Sequence, residues 1–345
     1  MIRNFDAILF MSFGGPEGPD DVLPFLKNVV RGRNVPDERL VNVAKHYNRF
    51  GGISPINAQN REIISKLHDK LIEKQINLPL FWGNRNWHPL ITDTVVKMHE
   101  AKIKNAITFV TAAFSSYSSC QQYKEDIENA CKINNVNNLK IFKIRPFFNH
   151  PLFIQANIDL IAESMGQFTG FDKNRVKLIF TAHSIPLSMD ENCDYQKQLL
   201  STAKILAEAF SVTNFTLAYQ SRSGSPRDPW LEPDILDVLN SDCNASEFII
   251  IVPIGFISDH MEIIYDLDIE AKNKALELGL NTVRAKTVSN SPIFINLIIE
   301  LIEEILNDKP AKMHEGFNLS LPDCDLNCCP LIKHTELVNK ISNPH

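Results

Sequence analysis

The sequence lacks a dense block of lysine and arginine, and its formal net charge is -6 over 345 residues. A nucleic-acid partner would need a basic surface for contacts with phosphates, so the sequence argues against one. No apolar run approaches the roughly 20 residues of a membrane span, and the N-terminus lacks the apolar core and the cleavage site of a signal peptide. We therefore expect a cytoplasmic protein without a transmembrane segment.

The cysteine and glycine patterns exclude two further classes. Seven cysteines are an odd number, which does not suggest a disulfide framework, and in a reducing compartment metal ligation or burial is expected instead. The stretch "GGPEG" at 14–18 is neither G-x-G-x-x-G nor a Walker loop, so it does not indicate a nucleotide site. Its glycines would let the backbone approach a large flat ligand, or simply turn the chain.

Apolar and β-branched runs alternate with amphipathic stretches along the chain, which predicts eight βα units in two sets of four. The apolar runs read "DAILFMS", "PLFWG", "AITFVTAA", "LKIFKI", "VKLIFTA", "FTLAYQ", "FIIIVPI" and "TVRAKTV". The helical patterns cover 57–74, 92–101, 121–133, 196–210, 260–278 and 292–306. Strands joined by helical crossovers form parallel sheets, either one barrel or two doubly wound sheets.

The spacing of the strands favours two lobes over one barrel. About seventy residues separate the first two predicted strands, which interrupts the regular spacing of a barrel. We therefore predict an α/β protein with two Rossmann-like lobes, each a four-stranded parallel sheet flanked by helices. The first lobe would cover residues 1–160 and the second 161–310, with the boundary between 150 and 172, and a cysteine-containing tail would follow at 311–345.

Two segments that follow predicted strands carry the candidate chemistry, because open parallel sheets bind ligands beyond the carboxyl ends of their strands. In "FTAHSIP", His183 could cap a turn, bind a metal or accept a proton. In "GFISDHMEIIYDLDIEA", Glu262, Asp266 and Glu270 would share one side of a helix. That side is either a solvated acidic face or, since carboxylates and imidazole suit a loosely held divalent cation, a route for metal.

Seven motifs in the same order along the chain carry a family resemblance. They read "SFGGPEGPDDVLPFL", "HYNRFGGISPINAQN", "FWGNRNWHP", "SSYSSCQQYKEDI", "TAHSIP", "YQSRSGSPRDPWLEPD" and "GFISDHMEIIYDLD". The chain resembles the ferrochelatases, which insert ferrous iron into a porphyrin. Its opening motif and its cysteine-rich tail are most similar to the actinobacterial branch, that of the coproporphyrin III ferrochelatases. The resemblance implies that both lobes are of the chelatase type.

The resemblance also implies roles for single residues. His183 and Glu262 would form the catalytic pair, facing the porphyrin centre and binding the incoming Fe(II), while Asp266 and Glu270 would conduct the metal. Contacts with the porphyrin and its propionates are implied for Arg31, His46, Tyr47, Ser54 and Tyr123.

The first loop departs from the pattern of several bacterial members. Those members have a tyrosine that can reach the other face of the metal, and this chain has Phe13 at that position. Because phenylalanine has no ligand oxygen, we expect Phe13 to pack on the porphyrin ring and the product iron to be held mainly from the His183 side.

A two-iron, two-sulfur cluster is a further implication of the resemblance. Cys120 occupies a position similar to the internal ligand of cluster-bearing members, and the tail adds Cys324, Cys328 and Cys329. Together they supply the four thiolates that such a cluster requires. The alternative is that the tail cysteines are free thiols. The other cysteines of the chain are interpreted as ordinary buried or surface residues, namely Cys131, Cys193 and Cys243.

The expected function is insertion of Fe(II) into coproporphyrin III to give Fe-coproporphyrin III in haem b synthesis, with hand-off to the next enzyme. The protein would bend the porphyrin, accept its two N–H protons and deliver the metal. Arg31, Arg33 and Arg49 offer a basic rim that suits the four propionates of coproporphyrin. Alternatives are a protoporphyrin IX ferrochelatase and a haem- or metal-binding protein without catalytic activity.

Overall fold

The computed structural model of the protein describes residues 4–32, 35–170, 172–223, 228–241, 243, 246–317 and 329, and its strands form two sheets. The first sheet contains β1 (Ala7–Ser12), β2 (Leu80–Asn84), β3 (Asn105–Val110) and β4 (Lys140–Lys143), in the spatial order β2-β1-β3-β4. The second contains β5 (Val176–His183), β6 (Phe215–Gln220), β7 (Phe248–Val252) and β8 (Asn281–Arg284), in the order β6-β5-β7-β8. Every strand pair is parallel. The predicted α/β fold with two four-stranded lobes is confirmed.

Helices cover both faces of each sheet. The helices up to the end of the first lobe are α1 (Pro19–Val29), α2 (Asp37–Asn48), α3 (Ile56–Glu73), α4 (Ile91–Glu100), α5 (Gln122–Ile133) and α6 (Pro151–Met165). Those that follow are α7 (Leu187–Asp190), α8 (Tyr195–Ala209), α9 (Ile235–Ser241), α10 (Met261–Tyr265), α11 (Lys272–Glu277) and α12 (Pro292–Leu306). A short 3₁₀ turn (Lys173–Arg175) leads into β5.

The central strands are buried on both faces, as parallel sheets covered by helices require. Every residue of β1 and of β7 is buried, whereas the edge strands β4 and β8 begin with an exposed residue. This difference explains why the inner strands read as unbroken apolar runs such as "AILFM" and "FIIIV".

Helix α12 joins the two lobes into one core. It follows the second sheet in sequence, yet it packs against α3 of the first lobe and against α6, which spans the predicted boundary. One hydrophobic cluster accordingly contains Phe109 of the first sheet, Phe294 of α12 and Leu178 of the second sheet. The segment predicted to hold the lobe boundary forms helix α6, and the position of the boundary itself stays a prediction. No helix in the described ranges is long and apolar enough to cross a membrane.

Two predicted helices contain π-helical turns that the sequence pattern did not indicate. Helix α5 is preceded by a π turn (Tyr117–Gln121), and the pattern predicted at 260–278 divides into α10, a π turn (Asp266–Ala271) and α11. A π turn holds one more residue than an α turn and is found frequently at functional sites. The prediction of one regular helix through the acidic residues was therefore wrong in detail.

The loop after β7 lies directly on the end of β5. A Cβ atom at Gly255 would stand 2.6 Å from the Cβ of Ala182, so only glycine fits there. The amide of Gly255 donates to the carbonyl of Thr181 at 3.0 Å. This contact brings the segment that leads to Glu262 next to the strand that ends at His183.

Candidate active site

His183 is the last residue of β5, and its imidazole is held in one tautomer. Its Nδ1 lies 2.5 Å from the carbonyl oxygen of Ser184. Because a carbonyl oxygen only accepts, Nδ1 carries a proton, and in the neutral ring the lone pair is on Nε2. Tyr195 fixes the backbone of the same residue by donating its hydroxyl to the His183 carbonyl at 3.1 Å.

Glu262 lies in the first turn of α10, where two neighbours hold its backbone. His260 caps the helix, since its Nδ1 accepts from the Glu262 amide at 3.2 Å. Burial lowers the pKa of His260, which keeps the ring neutral and able to accept. The side chain of Gln220 donates to the Glu262 carbonyl at 2.7 Å. The carboxylate is thus presented from a fixed point beside His183.

The two side chains face each other as acceptors. The Nε2 atom of His183 lies 3.7 Å from Oε2 of Glu262. A lone pair and a carboxylate oxygen repel unless a cation lies between them, so this gap is suited to a proton or a metal ion. In the described ranges no group of three or more histidine, cysteine, aspartate or glutamate side chains is arranged to hold a metal. Further ligands to a metal at this pair would come from water or from a bound substrate.

An acidic cluster leads away from this pair through the π turn. The Asp266 carboxylate accepts from the hydroxyl of Ser221. Burial, and then the nearby charges of Glu262 and Glu270, raise the pKa of Asp266 to about 7. Burial and the charge of Asp234 raise the pKa of Glu270. The charge of Asp234 acts on both Asp266 and Glu270, and Asp234 is an acidic residue that the sequence analysis missed.

Of the residues predicted to contact porphyrin, Phe13 and Tyr47 lie near the site. The Phe13 ring is 36% exposed and packs edge-on against Phe25, with ring centroids 6.2 Å apart. Tyr47 packs on the same Phe25 ring at 5.9 Å. Burial raises the pKa of the Tyr47 phenol, and the charges of Glu262 and Asp266 raise it further. Tyr47 of the first lobe is therefore close to the acidic cluster of the second.

His46 contacts the second lobe. Its ring stacks on that of Tyr265 with centroids 3.8 Å apart and an interplanar angle of 8°. This stack ties α2 to α10. Burial and the charge of Arg49 lower the pKa of His46, which favours a neutral ring in the stack.

The remaining predicted contacts are divided between buried and exposed positions. Ser54 and Tyr123 are buried, at 4% and 5% exposure. The guanidinium of Arg85 covers the Tyr123 ring at 4.7 Å, lies 5.8 Å from the Phe13 ring, and pairs with Asp126 at 2.5 Å. Arg85 is a second residue that sequence reasoning missed, although its segment "WGNRNW" follows a predicted strand.

The predicted arginine rim is only partly described. Arg31 is exposed at the end of α1 and lines a cavity of about 430 Å³ together with Arg85. Arg49 is exposed after α2, and Arg33 lies outside the described residues. A smaller cavity of about 120 Å³ borders His183, Ser116 and Gly255. It is smaller than the roughly 300 Å³ of ordinary ligand pockets, so it suits water better than a macrocycle.

The four predicted cluster cysteines are also only partly described. Cys120 is buried in the first π turn and Cys329 is buried too, whereas Cys324 and Cys328 lie outside the described residues. The segment that leads to the tail packs on the first lobe, where Phe317 contacts Phe148 and Phe148 stacks on Phe114.

Comparison with known proteins identifies the family. Residues 5–306 match the family model described as Ferrochelatase. The chain is 46% identical over 330 residues to the ferrochelatase of Rhodopirellula baltica, covering 94% of this chain and 93% of that protein. It is 42% identical over 338 residues to the coproporphyrin III ferrochelatase of Nocardia farcinica, covering 94% of this chain and 96% of that one. The chain belongs to the ferrochelatase family.

This ferrochelatase is accordingly a metal-inserting chelatase, and the predicted family is confirmed. Curated relatives from actinobacteria, such as those of Nocardia farcinica and Mycolicibacterium smegmatis, are named coproporphyrin III ferrochelatases. The fold is also found in a solved structure, the cobalt complex of the sirohydrochlorin chelatase SirB from Bacillus subtilis subspecies spizizenii. The TM-score is 0.54 at 10% identity over 88% of this chain and 97% of that one, which shows a common fold.

Replacing Asp266 by asparagine should stabilise the metal-free protein in a pH-dependent way. The folded pKa of about 7 lies above the ordinary value of 3.8, so folding becomes less favourable as the pH rises between these values. Each pKa unit corresponds to about 1.4 kcal/mol. We expect thermal unfolding of Asp266→Asn to match the wild type near about pH 4 and to lie several degrees higher near about pH 8. Asp69→Asn, at an exposed position of α3, controls for the loss of one charge; equal pH profiles of Asp266→Asn and wild type would contradict the burial of this carboxyl.

Proposed function

We propose that the chain inserts Fe(II) into coproporphyrin III and releases Fe-coproporphyrin III for haem b synthesis. The observation that carries the proposal is the pair of facing acceptors, His183 Nε2 and Glu262 Oε2, at 3.7 Å. In a ferrochelatase, such a pair serves both requirements of the reaction, a place for the metal and a base for the porphyrin protons. Transfer of the product to the next enzyme of the pathway stays a prediction.

The spacing of the pair suits a divalent ion. Bonds from a metal such as zinc to imidazole nitrogen and carboxylate oxygen are about 2.1 Å long. An ion bound to both atoms across this gap would therefore have a nitrogen–metal–oxygen angle of roughly 120°. Two protein ligands leave the other positions of Fe(II) open. The porphyrin nitrogens can then replace water on the ion as it enters the ring.

The protons of the free-base porphyrin need an acceptor on the same face. The lone pair of His183 Nε2 is freed when the ion passes to the porphyrin nitrogens, and the imidazole can then accept a proton. Nδ1–H remains bonded to the Ser184 carbonyl, which stabilises the imidazolium that forms. Glu262 then holds the metal or helps to remove the second proton.

The acidic cluster supplies the route for Fe(II). Asp266, Glu270 and Asp234 extend the negative charge from Glu262, and such a field raises the local concentration of a cation. If carboxylate oxygens replace the waters of the ion one at a time, the ion avoids the high cost of losing its whole hydration shell in a single step. A pKa of about 7 at Asp266 lets this carboxyl exchange a proton for a metal near neutral pH.

The porphyrin would lie between the lobes, with Phe13 against the ring face opposite His183. Phe13 has no oxygen to bind iron, so its part is packing. Because α12 fixes the lobes in one core, their facing segments are rigid enough to bend the macrocycle with binding energy from its edges. Three further residues would act indirectly, through the residues that they contact. His46 would support Tyr265, Ser54 would support the first loop, and Tyr123 would support Arg85.

The choice of coproporphyrin rests on charge and on relatives. Coproporphyrin has four propionates and protoporphyrin two, and Arg31 and Arg49 are exposed on the first lobe, where guanidinium groups can bind carboxylates. Relatives from Nocardia farcinica and Mycolicibacterium smegmatis are named coproporphyrin III ferrochelatases. The Rhodopirellula baltica relative is named ferrochelatase alone, so protoporphyrin IX is the alternative substrate to test.

A steady-state comparison of the two porphyrins with Fe(II) tests the substrate. We expect kcat/KM to be at least about tenfold higher with coproporphyrin III. A porphyrin with only two carboxylates would leave some cations of a site built for four without a partner. Anaerobic metallation followed by absorbance gives both values with one enzyme preparation. A preference for protoporphyrin IX would overturn the substrate assignment while leaving the chelatase activity intact.

Replacing His183 by alanine tests the mechanism. We expect metallation to fall by about 100-fold or more because the proton acceptor is lost, while binding of the porphyrin stays near that of the wild type. Fluorescence titration measures the binding and absorbance measures the turnover. Gln196→Ala, on α8 beside Tyr219, is the control and should keep its turnover. Turnover retained in His183→Ala would contradict the mechanism, and absence of turnover in the wild type would favour a binding protein.

We propose in addition that Cys120, Cys324, Cys328 and Cys329 hold a two-iron, two-sulfur cluster. Cys120 and Cys329 are both buried, and the segment before the tail packs on the first lobe through the contact of Phe317 with Phe148. From Phe317, the seven residues to Cys324 can extend over about 25 Å. When bound, such a cluster would supply one-electron redox chemistry and a covalent link between tail and first lobe.

Anaerobic purification tests the cluster. The wild type should show the visible absorbance of a two-iron, two-sulfur centre and an electron paramagnetic resonance signal after reduction. Cys120→Ser should lose both, since one of the four thiolates is gone. Cys131→Ser in α5 should keep both signals. A colourless wild type would remove the cluster and leave the tail cysteines as free thiols.

A further inference from the structure

The segment that presents Glu262 and Asp266 consists of elements too short to be stable alone. Helix α10 covers Met261–Tyr265 and the following π turn covers Asp266–Ala271. Isolated helices shorter than about 12 residues are marginal in water, and π turns are rarer still. The position of the two carboxylates must therefore be set by contacts with the rest of the lobe.

Arg284, the last residue of β8, makes such contacts at both ends of the segment. Its guanidinium donates to both oxygens of Asp268 at 2.6 and 2.9 Å. It also donates to both oxygens of Asp259 at 3.2 and 3.4 Å. Its side chain is 17% exposed. The planar guanidinium is therefore partly desolvated, and its paired hydrogen bonds to carboxylates are strong in such an environment.

The two aspartates enclose the segment that carries the metal-site carboxylates. Asp259 precedes the cap residue His260, and Asp268 lies inside the π turn. Residues two apart on a helix do not share a face, so Asp268 points away from the side of Asp266 and Glu270. One guanidinium thus fixes the segment before Glu262 and after Asp266 at the same time.

Asp259 is also hydrogen-bonded to the first lobe. The Asp259 amide donates to Oε1 of Gln59 at 2.8 Å, and Ser289 donates to the same oxygen at 3.2 Å. Gln59 belongs to α3, while Thr287 donates its hydroxyl to Asp259 at 3.1 Å. Asp259 is therefore hydrogen-bonded to both lobes, through its amide to Gln59 and through its carboxylate to Thr287 and Arg284.

We propose that Arg284 is a positioning residue that sets the distance between Glu262 and His183 by binding Asp259 and Asp268 together. The inference rests on the proposed function, because it assigns Arg284 to the metal side of that reaction. Among the described residues, the hydrogen bonds and ion pairs of Arg284 go to Asp259, Asp268 and Ala285, and to neither His183 nor a residue expected to bind porphyrin. Its loss should weaken the capture of metal and leave the binding of porphyrin unchanged.

Arg284→Lys tests the proposal, because lysine keeps the charge and loses the fork that binds two carboxylates. We expect the KM for Fe(II) to rise about tenfold, with a smaller fall in kcat and an unchanged dissociation constant for coproporphyrin. Asp268→Asn is the milder variant, which keeps one acceptor and should raise the same KM about threefold. Binding of Co²⁺ to the porphyrin-free protein, measured by calorimetry, should weaken in the same order.

Arg145→Lys is the matched control. Arg145 is also partly buried and also binds one carboxylate with two nitrogens, at 2.8 and 3.0 Å from Glu304. It contacts no residue of the 259–271 segment in any recorded hydrogen bond or ion pair. We expect it to lower the unfolding temperature as Arg284→Lys does, without changing the KM for Fe(II).

The outcomes separate this inference from the proposed function. If the wild type is active and Arg284→Lys and Asp268→Asn keep the wild-type KM and Co²⁺ affinity, Arg284 is only a structural residue and the inference is wrong. An equal rise of KM in Arg145→Lys contradicts it as well. If the wild type itself does not metallate porphyrin, the proposed function fails, while weaker Co²⁺ binding in Arg284→Lys would still support the positioning role.

Discussion

The candidate active site depends on two side chains, those of His183 and Glu262, that face each other at short range. The tautomer of His183 is set by the Ser184 carbonyl, and the backbone of Glu262 is held by His260 and Gln220. The 3.7 Å gap between them places an imidazole nitrogen opposite a carboxylate oxygen, and a proton or a metal ion between these two atoms would stabilise the pair. We propose that metal binding and proton transfer both use this arrangement.

The fold brings these acceptors together through two constraints. The close contact of Gly255 with Ala182 sets the loop after β7 on the end of β5, and α12 packs both lobes into one core. The carboxyl ends of the two sheets, which are the ligand-binding edges of such folds, are thereby kept at a fixed separation. A rigid gap of this kind can bend a flat macrocycle.

Local patterns predicted much of the fold and part of the site. The strands were predictable because inner parallel strands are unbroken apolar runs, and His183 and Glu262 because each follows such a run. The π turn at Asp266 was not, since the register of the helix depends on tertiary contacts such as that of Arg284 with Asp268. Arg85 and Asp234 were missed for the same reason, as their partners lie elsewhere in the chain.

The central claim is that the gap between His183 and Glu262 binds a divalent metal. Crystals soaked with Co²⁺ and measured with anomalous diffraction test it most directly. The account predicts a peak within bonding distance of His183 Nε2 and Glu262 Oε2, with weaker peaks toward Asp266 and Glu270. Peaks confined to other residues, with the gap empty at saturating Co²⁺, would contradict it.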